Sequence, residues 1–180
     1  LLGMAALTIV LLGVSLAEIG GGEVSARADL LNIPLSTAGY ARASGPYDWQ
    51  FPRDHGPHPD YQTEWWYYSG NLAAETGARF GFQFTIFRRA IAPTKAESAS
   101  EWRTNQVYMA HFTVTDVAGQ VFYQHQRFSR GGAGLAGATT DPLYRVWLEG
   151  WQVAAEDAGA TRTRITASAG EVAIDLRLEQ

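Results

Sequence analysis

Three side chains suited to acid–base chemistry stand out in the sequence. Glu64 is followed directly by Trp65 and Trp66, and Asp54 and His111 are the other two candidates. A carboxyl group in apolar surroundings can stay protonated near neutral pH, and a histidine can take up or release a proton there. We therefore take Glu64, Asp54 and His111 as the candidate catalytic residues, acting as general acids or bases.

Each of these residues also has a structural interpretation. Glu64 can pair with Arg88 across a hairpin, and His111 can be a hydrogen-bonded histidine of the core. Asp54 can hold a loop in place through an Asx turn. No Gly-x-Ser-x-Gly motif or other serine-nucleophile signature accompanies them. The sequence leaves the catalytic and the structural interpretations open.

Two histidines raise the question of a metal site. His55 and His58 precede Asp60 and Glu64, and imidazole and carboxylate groups suit Zn²⁺ and similar ions. The spacing is not helical, and prolines on both sides of His58 restrain the segment. We predict an ordered loop over residues 51–60 that closes one end of the fold, with histidines bonding backbone groups, and we predict no metal or other cofactor.

Aromatic and polar side chains near these groups could line a pocket, although large rings fill cores first. The candidate ligand-binding residues are Trp65, Trp66, Tyr67, Phe82, Gln83, Arg88 and Tyr108. The glycine-rich stretch 131–141 lacks the lysine of a phosphate-binding loop and is predicted to be an ordinary loop.

The segments that must position these residues are predicted to be antiparallel strands, because the character of their side chains alternates with a period of two. Trp65 and Tyr67 should face one side of the first strand, and Glu64, Trp66 and Tyr68 the other. No convincing helical period occurs after the N-terminal segment. The alternation predicts seven strands in sequential order, at residues 63–72, 79–88, 106–116, 120–129, 144–154, 161–167 and 171–179.

Several of these strands are apolar or aromatic on both faces, as in 107–114. A single sheet needs only one dry face, so the second face must line a barrel interior or be buried by another domain. Sequential strands with short turns favour a meandering barrel or sandwich over a Greek key. We predict an all-β antiparallel barrel, and a barrel of about eight strands has room for one small ligand.

Composition and the N-terminal residues indicate an exported protein. Residues 1–17 are apolar and uncharged and are followed by a small-residue cleavage pattern. We therefore predict a signal peptide or N-terminal anchor at 1–28, an irregular lead-in at 29–50 and one domain at 51–180. The expected location is periplasmic or secreted, or at a membrane if the segment is not cleaved. The absence of cysteine excludes disulfides, and a net charge of −4 without a basic stripe argues against nucleic acid.

Three ordered blocks resemble a known family. They are His55-Gly-Pro-His-Pro with Thr63-Glu-Trp-Trp-Tyr, Phe80-Gly-Phe-Gln with Phe87-Arg88, and Gln106-Val-Tyr-Met-Ala-His-Phe112. In these blocks the chain is similar to the AttH-like proteins, which include the CrtC-type carotenoid 1,2-hydratases. The resemblance implies a lipocalin-like barrel, the first of two such domains, with this chain truncated at its C-terminus.

The resemblance implies two classes of function. Hydratase members add water across a terminal double bond of an acyclic carotenoid, through a protonated carboxylic acid and a carbocation that aromatic faces stabilise. Other members are exported proteins assigned as hydrolases and accompany ABC transporter components. The alternative is a lipocalin-like carrier of a lipophilic molecule that associates with such a transporter. The expected partners are a hydrophobic small molecule, transporter permease components and a second lipocalin-like domain.

Overall fold

The computed structural model describes residues 36–94 and 97–180, in which nine β-strands and one short 3₁₀ helix occur. Thr37–Gln180 forms one compact unit, whereas the predicted signal segment lies outside the described residues. No helix in the described part of the chain is long and apolar enough to cross a membrane. The helix is Arg53–His55, and the strands are β1 (Thr63–Ala73), β2 (Arg79–Ala90), β3 (Gln106–Asp116), β4 (Val121–Arg130), β5 (Ala136–Thr139), β6 (Arg145–Leu148), β7 (Trp151–Ala155), β8 (Arg162–Ala169) and β9 (Val172–Glu179).

Consecutive strands pair antiparallel in two sheets. Sheet 1 has the order β1-β2-β3-β4, and sheet 2 has the order β5-β6-β7-β8-β9. Each strand therefore lies beside its neighbour in sequence, as hairpin connections require. The predicted all-β class, the antiparallel pairing and the sequential strand order are confirmed.

The inner faces of the two sheets share one apolar core. Trp66, Ile86 and Ala110 form one inward row of sheet 1, and Tyr68, Phe84 and Phe112 form the next. The Phe112 ring meets the Trp151 ring of sheet 2 edge to face, with centroids 5.6 Å apart. Complete burial of one such side chain contributes about 1.5–3 kcal/mol. The fully buried side chains that fill the middle of this core are Phe84, Ile86, Phe112, Val146, Leu148, Trp151, Val153 and Ile165.

The predicted strand 144–154 is in fact two strands, β6 and β7. Val146 and Leu148 are buried at even positions, whereas Trp151 and Val153 are buried at odd positions. One continuous strand cannot change parity in this way, but a tight turn at Glu149, with φ of +54°, reverses the chain and restores the inward direction. The prediction was wrong because it overlooked this shift in the alternation.

Part of the predicted glycine-rich loop is a strand. β5 pairs with β6 and places Gly137 opposite Trp147. A Cβ atom on Gly137 would lie 2.5 Å from Cζ2 of Trp147, so this position accepts no side chain while the indole lies there. Gly137 thus makes room for a large neighbouring ring and is not a sign of irregular structure.

Candidate functional site

A pocket opens at the end of sheet 1 where β1 begins. Its volume is about 390 Å³, and it lies outside the packed core between the sheets. The lead-in, the proline–histidine loop and the start of β1 all contribute to its wall. The lining residues are Arg42, Ala43, Ser44, Gly45, Pro46, Tyr47, Trp49, His58, Tyr61, Thr63 and Glu64.

Arg88 connects three residues of the pocket wall, Glu64, His58 and Tyr61, through hydrogen bonds. It lies opposite Glu64 in the β1–β2 register and is 2% exposed. Its Nε donates to Oε2 of Glu64 at 3.2 Å, and one terminal nitrogen donates to Oε1 of Gln106 at 3.0 Å. The other terminal nitrogen donates to the carbonyl oxygens of His58 and Tyr61 at 3.0 and 2.8 Å. The guanidinium thus ties the loop to the sheet with charge-assisted hydrogen bonds.

His58 lies between two carboxylates. Its Nδ1 is 2.5 Å from Oε1 of Glu64, and its Nε2 is 3.7 Å from Oδ1 of Asp54. The backbone N–H of His58 also donates to both Glu64 oxygens, at 3.1 and 3.0 Å. Because Glu64 accepts hydrogen bonds from this N–H and from Arg88, it acts as a carboxylate acceptor, and Nδ1 is the donor in the short contact. The imidazole is thereby fixed in one orientation at the pocket wall.

Asp54 is buried and remains an anion. The hydrogen bond from the Arg53 guanidinium, at 2.7 Å, is the largest cause that lowers the pKa of Asp54, and the backbone N–H of Gln50 adds to it. These contacts outweigh the opposing effect of burial. Asp54 therefore supplies negative charge near His58 and is not suited to donate a proton.

Aromatic rings surround His58 on the pocket side. The rings of Tyr47, Trp49 and Tyr61 lie with their centroids 5.8, 6.2 and 6.4 Å from that of His58, all close to edge-to-face. Tyr47 and Trp49 also contact each other, at 4.9 Å. These rings give the pocket an apolar surface beside the polar pair of His58 and Glu64.

The other histidine of the loop closes one end of the core. The His55 ring lies between the rings of Phe51 and Tyr144, at 4.5 and 5.8 Å. Its carbonyl oxygen accepts a hydrogen bond from Nε1 of Trp66 at 2.9 Å. Burial lowers the pKa of His55, although the charge of Asp54 partly opposes this effect. The loop thus reaches from β1 of sheet 1 to Tyr144, which directly precedes β6 of sheet 2.

The two histidines therefore belong to different sites. The His55 ring contacts Tyr144, just before β6, whereas the His58 ring contacts Glu64. Within residues 36–94 and 97–180, no three histidine or carboxylate side chains are placed to share a metal ion.

The structure brings Asp54, Glu64, Arg88 and Tyr108 to one end of the inner face. Tyr108 follows Arg88 in the same cross-strand row, and burial raises its pKa to about 12. His111 lies on the opposite face of sheet 1, where its ring is 5.8 Å from that of Phe87. His111 therefore does not line the pocket that Glu64 lines.

The remaining predicted ligand-binding residues are dispersed. Trp66 and Phe82 are buried in the core, and Gln83 is on the outer face of sheet 1. Trp65 and Tyr67 are 61% and 54% exposed on that same outer face. None of these five side chains lines the 390 Å³ pocket.

Sequence reasoning missed His58 as an acid–base candidate and the lead-in as pocket wall. The sequence suggested for His58 either a metal ligand or a loop histidine that bonds backbone groups, and residues 29–50 were predicted to be irregular. A signal was present, because Tyr47, Trp49 and Phe51 alternate at a spacing of two, which is typical of an extended segment with one aromatic side.

Comparisons with known proteins identify the family to which this fold belongs. The family model of AttH-like proteins matches residues 42–180, which is most of the chain. The chain belongs to the AttH-like family. A crystal structure of a Nitrosomonas europaea protein assigned as AttH matches with a TM-score of 0.61 and 29% sequence identity. The match covers 76% of this chain and 39% of that one, so this AttH-like chain spans less than half the length of its structural relative. No curated protein matches the chain.

Proposed function

We propose that this AttH-like chain binds an amphipathic or hydrophobic small molecule in the 390 Å³ pocket and that His58 is the acid–base group acting on it. The observation that carries the proposal is the 2.5 Å contact between Nδ1 of His58 and Oε1 of Glu64 at the pocket wall. The reaction class is hydrolysis or hydration of an isoprenoid or lipid-like substrate. Glu64 and Asp54 then support the imidazole, and His111 has no part in the site.

The proposed chemistry follows from the orientation of the imidazole. When the ring is neutral and Nδ1 donates to Glu64, Nε2 carries the lone pair and can accept a proton from a water molecule. The imidazolium formed lies between two carboxylates, because Asp54 is 3.7 Å from Nε2. The carboxylates on both sides orient the ring, as in carboxylate–histidine pairs of hydrolases. In hydrolysis the imidazolium then returns the proton to the leaving atom. In hydration the order is reversed: the imidazolium first protonates the carbon–carbon double bond, and the neutral ring then takes a proton from the water that attacks the cation.

The proposed ligand class follows from the pocket wall. Aromatic side chains from Tyr47, Trp49 and Tyr61 supply apolar surface, and His58 and Glu64 supply polar groups at one side. A pocket of this volume holds part of a lipid-like molecule and not a large folded partner. The polar end of the ligand would lie beside His58.

A carrier is the second candidate, and Arg88 favours it. All the polar contacts of this buried guanidinium are made inside the protein, so the Arg88–Glu64–His58 cluster also serves to fix the loop. A carrier needs the aromatic pocket and no acid–base step. An exported location, transporter permease components as partners and a second lipocalin-like domain are further proposals from the family resemblance.

The experiment that separates the two begins with purified full-length protein. Bound molecules are extracted and identified by mass spectrometry, and the protein is then incubated with lycopene-type carotenoids and with p-nitrophenyl esters. Water added to the carotenoid or cleavage of the ester, lost in His58→Gln and kept in His111→Gln, supports the enzyme. A co-purified lipid without turnover of either compound class supports the carrier. Turnover that is unchanged in His58→Gln would overturn the proposed role of His58.

A further inference from the structure

The outer face of sheet 1 carries a compact aromatic surface next to arginines. Trp65, Phe87, Met109 and Phe128 occupy one cross-strand row, and Tyr67 stands next to Trp65 along β1. Trp65, Tyr67 and Phe128 are 61%, 54% and 45% exposed. We call these five residues the aromatic face. With strands about 4.8 Å apart, the row extends about 14 Å across the sheet, so the face is far larger than isolated exposed rings.

The charged residues at the outward positions of the four strands of sheet 1 are all arginines. The row next to the aromatic row contains Arg89 and Arg130, and Arg79 lies near the far end of the same face. No outward position of the four strands, all of them described, is aspartate or glutamate, although the chain as a whole has a net charge of −4. Such a distribution attracts an anionic partner to this side.

Two of these arginines form no ion pair within the fold, in contrast to others in the chain. Arg88, Arg127 and Arg164 each pair with a carboxylate. Arg89 and Arg130, in contrast, form no ion pair with any carboxylate of the described residues. Guanidinium groups bind phosphate well, because their donors match its oxygens.

We propose that the aromatic face, with Arg89 and Arg130, docks on a bilayer that contains anionic phospholipid. Tryptophan and tyrosine favour the boundary between lipid headgroups and acyl chains, where one end of the ring is apolar and the other is wet. Arg130 is exposed in the adjoining row and can reach the phosphate layer, and the half-buried Arg89 lies in the same row. A small soluble anion would satisfy the arginines but would leave the aromatic row uncovered.

The surroundings of the face favour a deformable partner over a rigid one. Ile91 and Trp102 are exposed in the segment that joins β2 to β3, at the end of the sheet where Arg89 and Arg130 lie. Projecting side chains on loops and on a sheet can enter a fluid bilayer together, whereas a protein surface would need a matching shape. Thr63 belongs to the arginine row and also lines the pocket, so docking would bring the pocket close to the lipid. The inference concerns this surface and does not rest on the proposed reaction.

The test measures partition of the full chain onto sedimented vesicles. One vesicle type is phosphatidylcholine alone, and the other contains about one third phosphatidylglycerol. The apolar segment 1–17 carries no charge, so it contributes equally to both, and the difference between the two types reports the arginines. We expect tighter binding to the anionic vesicles and a loss of about fivefold for Arg130→Gln. Raising the salt concentration should remove the difference.

Matched variants locate the contact. The triple variant Trp65→Ser/Tyr67→Ser/Phe128→Ser should bind anionic vesicles at least about tenfold more weakly. The control Val117→Ser/Val121→Ser/Phe122→Ser removes exposed apolar side chains from the opposite end of the same sheet and should change binding by less than about twofold. Thermal unfolding confirms that both variants are folded.

Equal binding of the two triple variants would overturn the proposal, as would equal wild-type binding to both vesicle types. Self-association of the wild-type chain through the aromatic face, without lipid binding, would instead identify a protein interface and also overturn it.

Discussion

Arg88 and Glu64 face each other across the first hairpin, and the contact joins the sheet to the loop that precedes it. Arg88 Nε donates to Glu64 Oε2 at 3.2 Å while the same guanidinium donates to two loop carbonyl oxygens. Glu64 in turn accepts from the side chain and backbone of His58. A single buried pair thus fixes both the direction of the loop and the orientation of the imidazole.

Removal of Arg88 should strongly destabilise the protein. Arg88→Met keeps most of the side-chain volume but leaves Glu64 and two loop carbonyl oxygens without their buried donor. We expect the free energy of unfolding in urea to fall by about 3–5 kcal/mol. The control Arg79→Met changes an exposed position of the same strand and should cost less than about 0.5 kcal/mol. Equal effects of the two changes would contradict the structural role of Arg88.

His55 should make stability depend on pH in the mildly acidic range. Burial lowers the pKa of His55, so the unfolded chain binds a proton at this position more readily than the folded chain. The stabilisation is present in full above the unfolded pKa of about 6.5 and declines as the pH falls toward the lower folded pKa.

His55→Phe keeps a ring between Phe51 and Tyr144 and removes this titration. The decrease in Tm between about pH 7.5 and about pH 5 should be smaller in this variant than in the wild-type protein. His125→Phe controls for the added aromatic ring at another histidine. A decrease as large as that of the wild-type protein would show that His55 is not the group responsible.

Asp54 should stabilise the loop down to acidic pH. Its pKa is lowered, chiefly by the hydrogen bond from Arg53, so its contribution is present above the unfolded pKa of about 3.9 and is lost as the pH falls through the folded pKa. Asp54→Asn should therefore be less stable than the wild-type protein at neutral pH, and the two stabilities should converge below about pH 4. Asp60→Asn, at an exposed carboxylate of the same loop, serves as the control. A difference that stays constant across this pH range would contradict the assignment.

A side chain at position 137 should destabilise the protein. A Cβ at this position would lie 2.5 Å from the indole of Trp147, and Nε1 of that ring donates to the carbonyl of Gly134 at 3.0 Å. We expect Gly137→Ala to lower the free energy of unfolding by about 1–3 kcal/mol because the indole must shift. Gly45→Ala is the matched control, since its Cβ would meet no atom within 4 Å. Both free energies are obtained from denaturant titrations.

The sequence was informative wherever local alternation decides the structure. The faces of Trp65 and Glu64 in β1 follow from period-two patterning, and the pairing of Glu64 with Arg88 follows from the hairpin register. The Glu149 turn and the strand at Gly137 were missed. The first is visible only as a change of parity, and the second depends on where Trp147 lies in the folded protein.

The candidate site was harder to predict because it depends on contacts between segments. Nothing local to His58 shows that its ring meets Glu64 six residues later, since the intervening loop has no regular period. His111 has the right chemistry and lies in a block typical of the family, but strand parity places it on the face opposite Tyr108 and Arg88. Residue type suggested the chemistry, and the tertiary fold selected which residues share a site.

The most direct test of the account compares ligand retention and turnover in three full-length proteins: wild type, His58→Gln and His111→Gln. The readouts are the amount of extracted lipid per protein, by mass spectrometry, and the rate on whichever substrate the wild-type protein converts. The account predicts that His58→Gln loses turnover, at least about a hundredfold, while His111→Gln retains both turnover and bound ligand. Loss of activity in His111→Gln with an unaffected His58→Gln would contradict it and would move the site to the outer face of sheet 1.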